Sequence, residues 1–545
     1  MSSPVPVSSS GLGPITRVLV ITIACIGFLF DTYELLMFPV IGSDAVGELI
    51  KVNQDGSSPG WLGELGLSDS PNLKRGVAPT SVPVRLWGGR MLWIAALCGG
   101  VFGLIGGWLI DRLGRKTIMI ASIMAYSLSP VAAAYSTDLW QLVLFRSTTF
   151  IGVCVEMVAA VTWLAELFED KRTREIVIGW TLATASLGGI LVTEAYSLIV
   201  EAANSTAGLP NFHFPASHLQ HNVAWRFTLL TGLIPGAAIL LLMPFVPESH
   251  VWKRKKQDGT LKRPSFGELF SPQLRRTTLA TTILSACGYA AAFGAIQMTP
   301  LQIAVGLPDM AASNAVAGKA LKAVEAQAAK LKETKEGTPE HAEAKAQLAE
   351  AMEAKHAADQ PLKARRGNIQ RWQEIGGLVG RVLLAVLLLF VPSRTLIRLF
   401  LVPGLVLFPL TYLRLVHGEY TIFATAIFFC GLLTVAQFSF LSEFLPRVFP
   451  MHLRGTGGSF ATNFGGRMIG TMAATLNTEF LAKMFKTPAG PMEVASAAAV
   501  IGGAAYLIAL LASFMLPHPH EEVEKQAAVF GRDEVLKEPK GETID

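Results

Sequence analysis

Two carboxylic acids in an otherwise apolar run are the first chemistry-bearing feature of this sequence. The stretch Gly27-Phe28-Leu29-Phe30-Asp31-Thr32-Tyr33-Glu34 places Asp31 and Glu34 three residues apart, on one face of a helix. Two acids that close in a medium of low dielectric cannot both carry charge easily, which is what a proton-coupling site requires. A later apolar run holds Arg146 and Glu156. Ionisable groups in such surroundings are costly, so each is a functional candidate. Counting helical rise puts Arg146 and Glu34 at equal depth, about 10 Å below the same end of their helices. Arg146 could hold an anionic solute or release the acids as they protonate; a permanent buried pair with Glu34 is the structural alternative. Glu156 reads as a second protonation or substrate site, or as a partner for Arg467. Tyr289, Gln297, Arg381, Gln437, Asn463 and Arg467 are the polar residues of the later apolar runs. The expectation is proton coupling at Asp31, Glu34 and Glu156, and substrate contact at Arg146, Tyr289, Gln297, Gln437 and Asn463. Arg381 and Arg467 suit interhelical pairing as well as ligand contact.

The elements that must position these residues are membrane-spanning helices, each needing about 20 largely apolar residues. The chain has 545 residues, 51% of them hydrophobic and 16% charged, whereas a soluble domain carries about 25% charge. Twelve candidate spans follow, at 16–41, 87–110, 117–136, 139–166, 176–200 and 225–246, then 276–302, 373–392, 395–415, 419–443, 455–480 and 494–516. The fold class expected is an all-α membrane protein: twelve transmembrane helices in two pseudo-symmetric six-helix halves, 16–248 and 276–517, joined by a basic linker, 249–275, with terminal tails 1–15 and 518–545. The N-terminal residues lack the basic start of a signal peptide, so the first apolar run is read as a retained span.

Charge fixes the expected orientation. Arg112, Arg115 and Lys116 lie in one short loop, Lys171, Arg172 and Arg174 in another, and eight basic residues from Lys253 to Arg276 in the stretch 249–276. In a twelve-span chain all three fall on the side of the termini, and positive loops favour the cytoplasm. The expected location is the plasma membrane, or the inner membrane if the source is bacterial, with both termini cytoplasmic. Residues 306–371 are out of character, rich in Ala, Lys and Glu. Leu321, Val324, Ala328 and Leu331 follow helical spacing, Gly337-Thr338-Pro339 reads as a stop and restart, and a second helix should run to about Ala358. This predicts a non-cytoplasmic antiparallel helical hairpin, a spacer or a surface for a protein partner. Its balanced charge does not suit nucleic acid. The five cysteines form no CxxC motif, and no metal site or cofactor is expected. His213, His218 and His221 read as a solvated loop, Glu194 and Arg226 as snorkelling side chains, and Trp87, Trp140 and Trp225 as interfacial anchors.

A trace of internal repetition supports the two halves. Ala165-Glu166-Leu167 precedes Arg172 and Arg174, and Ser442-Glu443-Phe444 precedes Arg447 and Arg454. The strongest local motif is Gly107-Trp108-Leu109-Ile110-Asp111-Arg112-Leu113-Gly114-Arg115-Lys116. It resembles the cytoplasmic-loop signature G-x-L-x-D-R-x-G-R-K of the major facilitator superfamily. Arg146 with Gly152, then Ala165-Glu166, resemble the fourth-span pattern of sugar and metabolite/proton symporters, and Pro247-Glu248-Ser249 with Trp252 resembles their P-E-S-x-x-W sixth-span ending. The first-span acids resemble the D-x-Y-D pattern of phosphate/proton symporters, with Glu34 at the second Asp. Glu156 matches the acid of G-x-G-G-E, although Val153 and Cys154 replace the glycines. In the second half, 391–398 keeps no glycine-rich copy of the signature.

The resemblance implies a conformational latch at Gly107, Asp111, Arg112, Gly114, Arg115 and Lys116, with Glu166, Arg174, Glu443 and Arg454 at the corresponding helix ends. It also implies alternating access around a midplane site. The function expected is proton-coupled symport of a small, anionic organic or inorganic solute, with a proton-independent sugar facilitator or a transporter-like sensor as alternatives. A membrane-embedded hydrolase or transferase finds no support, because no Ser/His/Asp set, HExxH or nucleotide loop is present.

Overall fold

The computed structural model describes residues 13–517, except 69–71, 169–170, 206–207, 211, 213, 215–222, 250–251, 254–256, 258–265, 336, 389, 451–452 and 486–490. Among the described residues, nine helical segments are long and apolar enough to cross a membrane. They are the first (Pro14–Leu49), second (Val82–Leu113), third (Arg115–Ala134), fourth (Leu139–Leu167), fifth (Lys171–Asn204), seventh (from Arg275), ninth (Ser393–Leu413), tenth (Tyr420–Val448) and twelfth (Pro491–Ser513) spans. The sixth breaks at Thr231-Gly232 into Ala224–Leu230 and Leu233–Leu242. The eighth is the end of a longer helix, and the eleventh starts at Arg454 and is interrupted by wide turns.

Packing repeats between the halves. The first span lies on the fifth, the second on the fourth and the third on the sixth; in the same order the seventh lies on the eleventh, the eighth on the tenth and the ninth on the twelfth. The halves meet along two seams, fifth against eighth and second against eleventh, which this correspondence exchanges. The eighth and tenth spans approach closely because Gly376 and Gly380 face the carbonyls of Phe428 and Leu432; a methyl group there would meet backbone.

The insertion is an antiparallel pair of helices, Ala311–Glu333 and Pro339–Leu387. Thr338 caps the second by accepting from the His341 N–H at 3.2 Å. That helix does not end near Ala358 as the sequence suggested. It runs on for 49 residues through Pro361 and becomes the eighth span, since the missing proline N–H costs one bond in a stretch otherwise rich in strong helix formers.

Ion pairs close both seams on the side of the insertion. On one, Arg366 pairs with Asp44 at 2.6 Å and Arg371 with Glu194 at 2.5 Å. On the other, Arg90 bridges Glu64 at 3.1 Å and Glu479 at 2.5 Å, and Arg85 meets Glu493 at 3.4 Å. Glu194 is therefore tied across the seam rather than snorkelling. Arg226 is fully buried, donating to the carbonyls of Ala134 and Ser136 at 2.6 and 3.1 Å and to Glu48 at 2.8 Å. Trp87 and Trp225 are likewise buried, not interfacial, because their indole N–H groups donate to Glu64 and Glu48; Trp140 stays exposed. These side chains serve a polar layer at the helix ends that hydropathy alone does not distinguish from a lipid interface.

Candidate functional site

The first span supplies the acids, but their partners differ from those sequence spacing suggests. Gly27, one turn before Asp31, leaves room for the fourth span: a Cβ added there would lie 2.5 Å from Oε1 of Glu156. The carboxyl groups of Asp31 and Glu156 are close neighbours. Both residues are buried, and neither oxygen of Glu156 receives a hydrogen bond from an N–H or hydroxyl group. The only donor two carboxyls can offer one another is an O–H, so the two can bond directly only when one of them carries a proton.

Glu34 turns away from that pair. Its carboxylate packs against Gly232 at the break in the sixth span, and the adjoining Thr231 hydroxyl bonds to that of Tyr33 at 2.6 Å. Arg146 does not form an ion pair with the Glu34 carboxylate. Its guanidinium donates to the backbone carbonyls of Glu34 at 2.6 Å and Leu35 at 2.9 Å and lies 4.9 Å from the ring centroid of Phe150. Arg146 thus grips the first span where Pro39, four residues beyond Leu35, has no N–H to offer that residue's carbonyl.

The other half brings Arg467 to the acid pair. Wide helical turns over Phe460–Ile469 carry Asn463 and Arg467 on one side of the eleventh span; such turns recur at functional sites. Arg467 donates to the Asn463 side-chain oxygen and, at 3.5 Å, to the Met157 sulfur across the centre. Tyr289 lies against the same guanidinium, and Asp31 is among the charges it feels. Gly103 of the second span faces the Asn463 amide, and Trp93 donates to the Met468 carbonyl at 3.0 Å. Asp31, Glu156, Tyr289 and Asn463 are therefore brought together, with Arg467 as the central cation. Gln437 stays apart, donating to its own helix at the Leu433 carbonyl. Gln297, between two wide turns of the seventh span, faces Glu374 of the eighth.

Sequence reading missed Glu374, which stands at the very start of the 373–392 run, where a polar side chain reads as part of a helix end, and it missed Tyr126, a buried phenol of the third span facing the acids. Periodicity carried no signal for either.

At the basic-loop end, two motifs form one network. Arg115 pairs with Glu166 at 2.9 Å, and the Ser249 hydroxyl donates to the same carboxylate. Glu248 accepts from the Lys116 N–H at 3.1 Å, Lys116 Nζ donates to the Val246 carbonyl at 2.7 Å, and the Trp163 indole donates to the Pro247 carbonyl at 3.2 Å. Gly114 turns the chain between the second and third spans at φ 101° and ψ 153°, a conformation essentially confined to glycine. A Cβ there would also lie 2.6 Å from the Glu248 carboxylate. Gly114→Ala is expected to cost about 1–3 kcal/mol, seen as a lower thermal unfolding midpoint. Glu443 pairs with Arg447 one turn along its own helix. Gly107, Asp111, Arg174 and Arg454 lie outside the residues whose side chains are described, as do His213, His218 and His221.

Comparison with known proteins gives concordant results. The model of the Major Facilitator Superfamily matches residues 78–321. The chain is similar to a probable 4-methylmuconolactone transporter of Cupriavidus pinatubonensis, 27% identical over 33% of this chain and 39% of the relative. It is 31% identical to the 4-hydroxybenzoate transporter PcaK of Pseudomonas aeruginosa, over 28% of this chain and 30% of that one. The chain thus matches between about a third and two fifths of these relatives' length. Among solved structures, the partially occluded inward-open xylose transporter XylE from E. coli shares the fold over 90% of this chain and 98% of that one, with TM-score 0.57 and 13% identity.

Proposed function

We propose that this chain, which belongs to the major facilitator superfamily and is a multi-pass membrane transporter rather than an enzyme, couples uptake of a small carboxylate to the entry of a proton. The observation that carries this reading is the Asp31–Glu156 carboxyl pair on one half, set beside Arg467 on the other. When the pair holds its proton, Arg467 is free to take the solute's anionic group, with Tyr289 and Asn463 as hydrogen-bonding neighbours. When the pair loses that proton, Arg467 is drawn to the acids and lets the anion go. Proton and solute are then bound together and released together.

Arg146 holds the first span in place through two carbonyl oxygens, which keeps Asp31 at the depth of Glu156. The basic loops face the cytoplasm and the insertion faces the exterior of a plasma or bacterial inner membrane. Similarity to a transporter of 4-hydroxybenzoate, an aromatic carboxylate, supports a carboxylate as the solute, and the buried guanidinium supplies the matching charge. The test is uptake into proteoliposomes, with labelled 4-hydroxybenzoate first and then other carboxylates, sugars and phosphate. A carboxylate should accumulate when the outside is acidified and only equilibrate when it is not. Uptake of any solute at a rate and extent indifferent to the pH gradient would make the chain a facilitator and end the coupling reading.

A further inference from the structure

The proton pair uses Asp31 and Glu156 of the first half; Glu374 is a buried acid of the second that it leaves unused. Glu374 stands one turn below Arg371, so it lies just inside the ion-pair layer that closes the fifth–eighth seam. Its Oε1 accepts from Gln373 Nε2 at 2.8 Å, and Gln297 is a second amide neighbour. Its Oε2 rests against Gly189 of the fifth span, where any side chain would collide with it. One turn above, Gln370 donates to the Leu36 carbonyl of the first span at 3.2 Å. The walls around this carboxyl therefore come from both halves.

No ammonium or guanidinium among the described residues makes an ion pair with Glu374. The charged group that acts on it is Arg381, two turns further along its own helix. The titratable groups on the packed elements are engaged elsewhere. On the fifth span Glu194 is tied to Arg371 and Tyr196 faces Arg366; on the first, Asp44 is tied to Arg366 and Glu34 faces the sixth span. On the seventh, Tyr289 faces Arg467, and on the tenth Cys430 faces Thr411. Closing the seam strips water from an acid whose near neighbours are amides, and a carboxyl enters such a place cheaply only with its proton on.

We propose that Glu374 is a second proton-binding site, which takes a proton from the exterior as the outer seam closes and returns it to the exterior when the seam parts. The proton passes from external water to the carboxylate and back, so it sets the gate without adding to the protons transported. The inference rests on the orientation proposed above, but its readout requires no solute.

The experiment uses the full chain in lipid nanodiscs, with spin labels at the exposed ends Glu201 of the fifth span and Glu419 before the tenth, on a background in which the five cysteines are replaced. Raising the pH from mildly acidic to mildly alkaline should shift the inter-label distance from short to long in the parent. Glu374→Gln should hold the short distance at both values, while Glu374→Asp should restore the shift. An unchanged shift in Glu374→Gln, or no shift in the parent, overturns the proposal, whatever the uptake assay shows. Conversely, pH-indifferent uptake with an intact label response would remove the coupling reading and leave this gate standing. A thermal midpoint of Glu374→Gln equal to the parent's shows that the fold is retained.

Discussion

Asp31→Asn should reduce solute accumulation driven by a pH gradient to simple equilibration, while exchange of labelled for unlabelled solute across the membrane continues. A gradient of two pH units stores about 2.7 kcal/mol per proton, enough for about a 100-fold accumulation by one coupled proton. The variant forfeits all of it, because an amide opposite Glu156 keeps the contact but carries no exchangeable acid proton. Exchange survives, since it needs only the rocking of the halves around an occupied site. Glu156→Gln should behave alike, and the double variant should be no worse than either single one, because in the proposed mechanism the two acids act as one proton-binding unit. Full gradient-driven accumulation by Asp31→Asn would remove Asp31 from the proton path.

Arg90→Ala should produce the largest loss of stability among the seam variants. Arg90 is buried between the Glu64 and Glu479 carboxylates and lies 4.6 and 5.1 Å from the ring centroids of Trp61 and Trp87. Its removal leaves Glu64 buried with, among the described residues, only the Trp87 indole as donor, at 2.8 Å, and Glu479 with Lys483 at 3.3 Å. Stripping one partner from a buried ion pair costs about 3–5 kcal/mol, which should appear as a clear drop in the thermal midpoint in detergent or nanodiscs. Adding Glu64→Gln should recover part of that loss, since it removes the stranded charge and keeps an oxygen to accept from Trp87. If Arg90→Ala melts with the parent, the triad is hydrated and contributes little to holding the halves.

The spans and halves could be read from apolar run length, and the insertion from its sudden excess of Ala, Lys and Glu. The loop motif and the P-E-S-x-x-W ending could also be read, since Gly114, Glu166 and Glu248 act within one local network at the helix ends. The pairing of the acids could not. Asp31 and Glu34 share a helix face by spacing, but the neighbours that claim them are set by the room at Gly27 and Gly232 and by which helix fills it. Arg467 was read as a partner for Glu156 or a ligand contact, but its place beside Asn463 and Tyr289 was not, because the wide turns of the eleventh span do not show in residue spacing. Glu374 was hidden for a different reason: it sits at the start of its apolar run, where polar residues are ordinary, and its burial comes from Gly189 and the fifth span of the opposite half.

The unbroken helix Pro339–Leu387 is a mechanical lever. Its 49 residues extend about 73 Å at the usual helical rise, and the arm beyond Pro361 is about 35 Å long by the same measure. A 5° tilt of the eighth span would swing the distal end by about 3 Å, a far larger displacement than the same rotation produces at the seam. Torque runs the other way as well. A rigid ligand such as an antibody fragment, bound at the tip near Gly337 and braced on the first half, would brake the transport cycle from outside the bilayer, without entering the membrane or touching the solute.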